Sequence, residues 1–231
     1  MKCINCNYEH QSNFCPNCGQ PSNVARITFA SIFSSGFSTI TNMNKGFLFN
    51  VKHLCVNPHG LVNDFIKGKR KNIFNPISFL IIVVTIYLII DAAIVVKTEA
   101  KQVHSKVYQV GYQAGRFIKL YFKYFWILSI LWLSISTKLI FQKYNYAEHL
   151  AINAFVMGQA TLIGLISFVI TKEGLMFNPL VYISIIWINY EIFKKKKKDT
   201  TAFFQSLGAT LFFFVQLFAI IVIIGVIRTQ I

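Results

Sequence analysis

From Pro76 to Val96 the chain runs for 21 residues with only Ser78, Thr85 and Asp91 interrupting its apolar side chains. At a rise of 1.5 Å per residue such a helix covers roughly 31 Å, the thickness of a bilayer's hydrocarbon core. A backbone surrounded by lipid has to satisfy its own polar groups, so a run of this length reads as a membrane-spanning helix. Further apolar runs fall at about 121–141, 151–170, 179–193 and 202–227, the fourth span being short and opening on Pro179. The composition agrees: 55% of the residues are hydrophobic and 13% charged, against about 25% charged in an ordinary soluble domain. Disorder is excluded because it needs low hydrophobicity. The expected fold is an all-α integral membrane protein with about five transmembrane helices, preceded by a small N-terminal four-cysteine zinc ribbon and amphipathic interfacial helices.

The ribbon is expected over residues 1–21. Cys3, Cys6, Cys15 and Cys18 form C-x2-C-x8-C-x2-C, and each C-x2-C pair can wrap one face of a tetrahedral ion. In the second pair Pro16 fixes one φ and Gly19 supplies a permissive one, which favours a tight turn around the metal. Few large apolar residues are present here, mainly Ile4, Tyr8 and Phe14, so packing alone cannot hold the segment. Metal binding, worth roughly 10 to 16 kcal/mol in zinc-finger peptides, can. A redox dithiol or two disulfides are the competing readings, and neither accounts for two matched knuckles. With four thiolate ligands no position stays open for substrate, so a bound Zn2+ is expected to be structural. Lys2 and Glu9 are the only charged side chains besides the thiolates before Pro21. Nucleic-acid binding, which needs clustered cations, is therefore not expected. The fifth cysteine, Cys55, has apolar helical neighbours and is expected to be a small buried hydrophobe.

Residues 22–75 carry helical patterns too brief or too polar to span. Phe29, Ile32, Phe33, Phe37 and Ile40 form one stripe; Phe47, Leu48, Val51, Leu54 and Cys55 a second; Leu61, Val62, Phe65 and Ile66 a third. Each is expected to lie in the headgroup plane with its apolar face down. Lys67, Lys69, Arg70 and Lys71 immediately precede the first long apolar run. They are candidates for contact with anionic lipid headgroups, at about 1 kcal/mol for each cation near such a leaflet.

Met1 to Gln20 contains no apolar stretch followed by a cleavage site, so the N-terminus is expected to remain cytoplasmic. With that start, the inner segments hold eight cations up to Lys71, two at Lys138 and Lys143, and five from Lys194 to Lys198. The outer ones hold six from Lys97 to Lys123, then Lys172 and Arg228. The excess inside favours N-in and C-out, with the transmembrane domain filling 76–231. The stretch from Lys97 to Lys119 is expected to be an extracytoplasmic linker.

Among polar residues in the spans, Asp91, Lys138 and Glu191 have interfacial explanations. Glu148, His149 and Asn153 are the candidate membrane polar site. Glu148 suits a helix N-terminus, and His149 with Asn153 suits hydrogen bonding across helices. Glu148 and His149 are adjacent, about 100° apart on a helix, and do not share a face.

The order of the Cys3 to Gln20 head, Arg26-Ile27-Thr28-Phe29, Lys45-Gly46-Phe47, Gly68-Lys69-Arg70-Lys71 and Asn75-Pro76-Ile77-Ser78-Phe79-Leu80 resembles a bacterial membrane family, the domain of unknown function 3667, over about residues 1 to 90. The resemblance implies a zinc ribbon joined to an inner-membrane helical domain and brings no activity with it. Here Pro58-His59-Gly60 departs from the family's Pro-Gly. A non-enzymatic adaptor at the inner leaflet is the first functional expectation, its ribbon docking a cytosolic protein or a second copy. A small transporter or channel component comes second. A membrane enzyme on lipid-linked substrates comes third, since no H-E-x-x-H, G-x-S-x-G or paired carboxylate occurs.

Overall fold

The computed structural model of the chain describes residues 1–31, 43–94 and 125–229. Among them are seven named helices: α1 (Met43–Val56), α2 (Pro58–Ile66), α3 (Pro76–Ile94), α4 (Ile130–Phe141), α5 (Tyr146–Thr171), α6 (Pro179–Phe193) and α7 (Thr200–Thr229). No strand ladder forms among the described residues; two isolated antiparallel bridges, Lys2 with Glu9 and Phe14 with Pro21, tie the ribbon.

The helix starts follow from three Asn-Pro dipeptides. Proline supplies a helical φ at the first position without wasting a donor, and the asparagine side chain caps a backbone N–H beyond it. Asn57 accepts from the Gly60 N–H at 2.9 Å, Asn75 from Ile77 at 2.9 Å and Ser78 at 3.2 Å, and Asn178 from Leu180 at 3.1 Å. Helix α5 begins instead with a reciprocal box, the Asn145 side chain accepting from the Glu148 N–H and the Glu148 carboxylate from the Asn145 N–H.

Helix α5 is the axis of the fold, packed against α1, α3, α4 and α6. Its residues from Ala147 to Thr161 are all buried. Small residues let its neighbours approach closely, as is usual for helices in lipid. A Cβ on Gly158 would stand 2.6 Å from the Phe79 ring of α3, and one on Gly164 would stand 2.5 Å from Val181 of α6. Helix α7 lies at the edge against α4 and α6, with Phe204, Leu211, Val215 and Phe218 on its outer side exposed.

Three helices, Pro76–Ile94, Tyr146–Thr171 and Thr200–Ile220, are long and apolar enough to cross a membrane; Ile130–Phe141 and Pro179–Phe193 are apolar but shorter. The protein is thus a helical membrane protein with three full-length candidate spans among the described residues, where about five were expected over the whole chain. Within the second expected span, 121–141, residues 126–129 form turns before the 12-residue α4. There Trp126 is buried and its indole N–H donates to Thr161 of α5 at 2.8 Å. Residues 121–124, the Lys97 to Lys119 linker and most of the Phe29 to Ile40 stripe lie outside the described residues.

Two further expectations change. Leu54, Leu61, Val62 and Phe65 do not face lipid headgroups: they are buried in the same apolar core as α3 and α5, because α1 packs on α5 and α2 on α6. Cys55 is exposed rather than buried. It sits on the flank of α1 where the Gln159 side chain reaches it, donating to Sγ at 2.8 Å.

Candidate metal centre and its seat on the helical bundle

Each knuckle of the ribbon closes the same way. The Asn7 N–H donates to the Cys3 carbonyl at 2.9 Å and the Gly19 N–H to the Cys15 carbonyl at 2.7 Å. Both closing residues are left-handed, with φ of 61° at Asn7 and 72° at Gly19. Glycine adopts that conformation freely and asparagine is among the few other residues that tolerate it. The result brings Cys3, Cys6, Cys15 and Cys18 together with all four Sγ atoms within 4.8 Å of one another, the one such metal-capable group among the described residues.

The sulfur spacing tests the fit. Tetrahedral thiolate ligands at about 2.3 Å from a metal stand about 3.8 Å apart; Cys3 and Cys18 lie at 3.6 Å, Cys6 and Cys15 at 3.5 Å. The four thiols therefore fit one tetrahedral ion and fill its coordination. The Tyr8 backbone N–H pulls the Cys6 thiol down to about 6, while burial pushes Cys15 up to about 11. Metal binding has to displace the Cys15 proton, so acid favours release.

The ribbon does not hang free. Gln20 is buried and its side chain grips the basic turn from both sides. Its Nε2 donates to the Gly68 carbonyl at 3.0 Å, and its Oε1 accepts from the Arg70 and Lys71 N–H groups at 3.3 and 3.0 Å. Gly68 has a φ of 95°, and a Cβ there would stand 2.8 Å from Val24. Farther on, Arg26 donates to both oxygens of Glu148 at 2.8 and 3.2 Å. The neighbouring carboxylate raises the Arg26 guanidinium above its ordinary range. The same Glu148 closes the α5 capping box, so one carboxylate ties the ribbon's exit segment to the start of the central helix.

The four candidate headgroup cations divide. Lys69 pairs with Asp64 at 3.1 Å. Arg70 lies over the Phe65 ring and donates to the Ala25 carbonyl at 3.2 Å; burial lowers it from its ordinary range. Lys67 and Lys71 remain exposed. Glu191, as expected of an interfacial residue, pairs with Lys194 at 2.6 Å.

Glu148, His149 and Asn153 are all buried but point to different partners. His149 Nδ1 lies 3.0 Å from Thr137 Oγ1, and Asn153 donates to Thr137 at 2.8 Å and Ser134 at 3.3 Å on α4. His149 and Asn153 therefore join helices, while Glu148 faces the ribbon's exit segment. Sequence reasoning missed Gln20, Asn189 and the pairing role of Arg26. A lone Asn189 in an apolar helix was a visible signal; a partner for Gln20 48 residues away was not.

This seat lies where the comparisons with known proteins speak. Residues 44–88 match the family described as protein of unknown function (DUF3667). The matched segment begins in α1 and ends inside α3, and it contains the whole basic turn held by Gln20. It bears out the family resemblance over residues 44–88, and the Cys3 to Gln20 head lies outside the match. No curated protein and no solved structure matches the chain.

Proposed function

We propose that the protein is a non-enzymatic membrane adaptor whose zinc-loaded ribbon captures a cytosolic protein at the inner face of a bacterial cytoplasmic membrane. The carrying observation is where the ribbon keeps its large apolar side chains. Ile4, Tyr8 and Phe14 are 41%, 49% and 62% exposed, although the ribbon's polar Gln20 is sealed against the basic turn. A domain whose cohesion comes from a metal leaves such side chains available to a partner. Its near-neutral surface favours protein over nucleic acid. Lys67 and Lys71, exposed beside the seat, suit anionic headgroups, and the long helices suit an anchor.

Photocrosslinking from Tyr8 and Phe14 in native membranes tests this reading. A discrete protein adduct, lost in Cys15→Ser while the chain still inserts, is expected. Adducts to lipid alone, or to a second copy of the chain, would overturn capture of a cytosolic partner.

A small transporter or channel component is the second reading, favoured by the fully buried His149, Asn153 and Asn189 within apolar helices. Solute flux in proteoliposomes tests it.

A further inference from the structure

Helices α5 and α6 bury a level of polar side chains that the adaptor reading does not use. The two helices run antiparallel in a register fixed at both ends. At one end the His149 ring stacks on Phe193 with centroids 5.7 Å apart; at the other the Asn178 Nδ2 donates to the Gly164 carbonyl at 3.3 Å. One turn along α5 from His149 stands Asn153, and one turn back along α6 from Phe193 stands Asn189. The two amides therefore share a level on adjoining stripes of packed helices. Neither residue has any exposed surface.

Their hydrogen bonding is incomplete. Among the described residues, His149 Nε2, Asn153 Oδ1 and both ends of the Asn189 amide are buried without a partner. Turning the Asn153 amide over only exchanges which end is left unpaired. The Thr137 hydroxyl donates to the Ser134 carbonyl at 3.3 Å and accepts from Asn153 at 2.8 Å. His149 then has to donate through Nδ1, which leaves Nε2 as an acceptor. The level thus presents three acceptors and the Asn189 Nδ2 donor. Leaving them dry costs the desolvation of each.

We propose that α5 and α6 hold bound water at the level of Asn153 and Asn189. The Asn189 Nδ2 donates to its oxygen, and its protons go to Asn153 Oδ1 and His149 Nε2. Water is the smallest molecule with that pattern, and buried waters characteristically bridge two to four such groups. The site lies seven residues into α5, roughly 10 Å along its axis, beside the buried Ser134 and Thr137 hydroxyls of α4. It is independent of what the ribbon captures.

Radiolytic hydroxyl labelling of the full-length protein in nanodiscs, read by mass spectrometry, tests the assignment because trapped water generates radicals in place. His149 and Phe193 are expected to oxidise several-fold faster than in Asn189→Leu, and Phe193 faster than the equally enclosed Phe168. Asn189→Ser, which keeps a hydroxyl at the level, is expected to retain the labelling. Equal rates in the native protein and Asn189→Leu, or a Phe193 rate no higher than that of Phe168, would overturn it. So would a high-resolution map in which the two amides pair directly.

Discussion

The ribbon and helix α5 solve opposite problems with opposite materials. In the ribbon the large apolar residues Ile4, Tyr8 and Phe14 face outward while Cys3, Cys15 and Gln20 are buried. In α5 everything from Ala147 to Thr161 is buried, apolar and polar alike. One region is built around a latch and four thiols that can hold a metal ion, the other is held by close packing. Loss of a metal from the ribbon is therefore expected to leave the bundle intact, and loss of packing to reach every helix. Glu148 is where the two schemes meet.

Stripping the metal, or replacing Cys15 by Ser, should break the comparison most sharply. Amide protection over 1–21 is expected to collapse, as the roughly 10 kcal/mol or more of metal-linked folding is removed, while protection over 146–171 persists. Hydrogen exchange with mass spectrometry reads both. Acidification should release the metal in the same order, since protons compete for the thiolates.

Gly158→Ala is the reciprocal attack. The new methyl meets the Phe79 ring and should destabilise the bundle by about 1 to 3 kcal/mol, seen as a lower thermal midpoint with unchanged metal content. Gln20→Ala should act between the two. It strands the Gly68 carbonyl and two N–H groups at about 1 to 3 kcal/mol, releasing a ribbon that still holds metal. Faster amide exchange at Arg70 and Lys71 would report it.

The smallest effect is expected at the start of α7. The Lys195 and Ala202 backbone N–H groups hold the Asp199 carboxyl below its ordinary range. Its contribution is therefore full above the ordinary carboxylate pKa and is lost as pH falls through the lower folded value. Exchange at the first turn of α7 should rise on acidification while the centre of α5 stays protected.

Much of the metal site was legible because ligand spacing is local: two knuckles twelve residues apart already imply four converging sulfurs. The expected role of Glu148 as a helix-start residue holds for the same reason, since a cap is read within one turn. What stayed hidden depends on distance along the chain. Nothing near Gln20 points to Gly68, and nothing near Arg26 points to Glu148. The stripes of α1 and α2 looked like lipid-facing surfaces because an apolar face does not say whether lipid or protein covers it. The exposure of Cys55 was hidden by the same ambiguity.

The sequence by itself determined that apolar helices and a four-thiol knot belong to one chain, because hydropathy over a turn or two and cysteine spacing are short-range quantities. Tertiary structure alone decided that the knot is seated on the basic turn, that α5 is the centre and that Asn153 and Asn189 share a level. Those facts rest on register and crossing between segments far apart in sequence, and only packing, with the hydrogen bonds it encloses, fixes register.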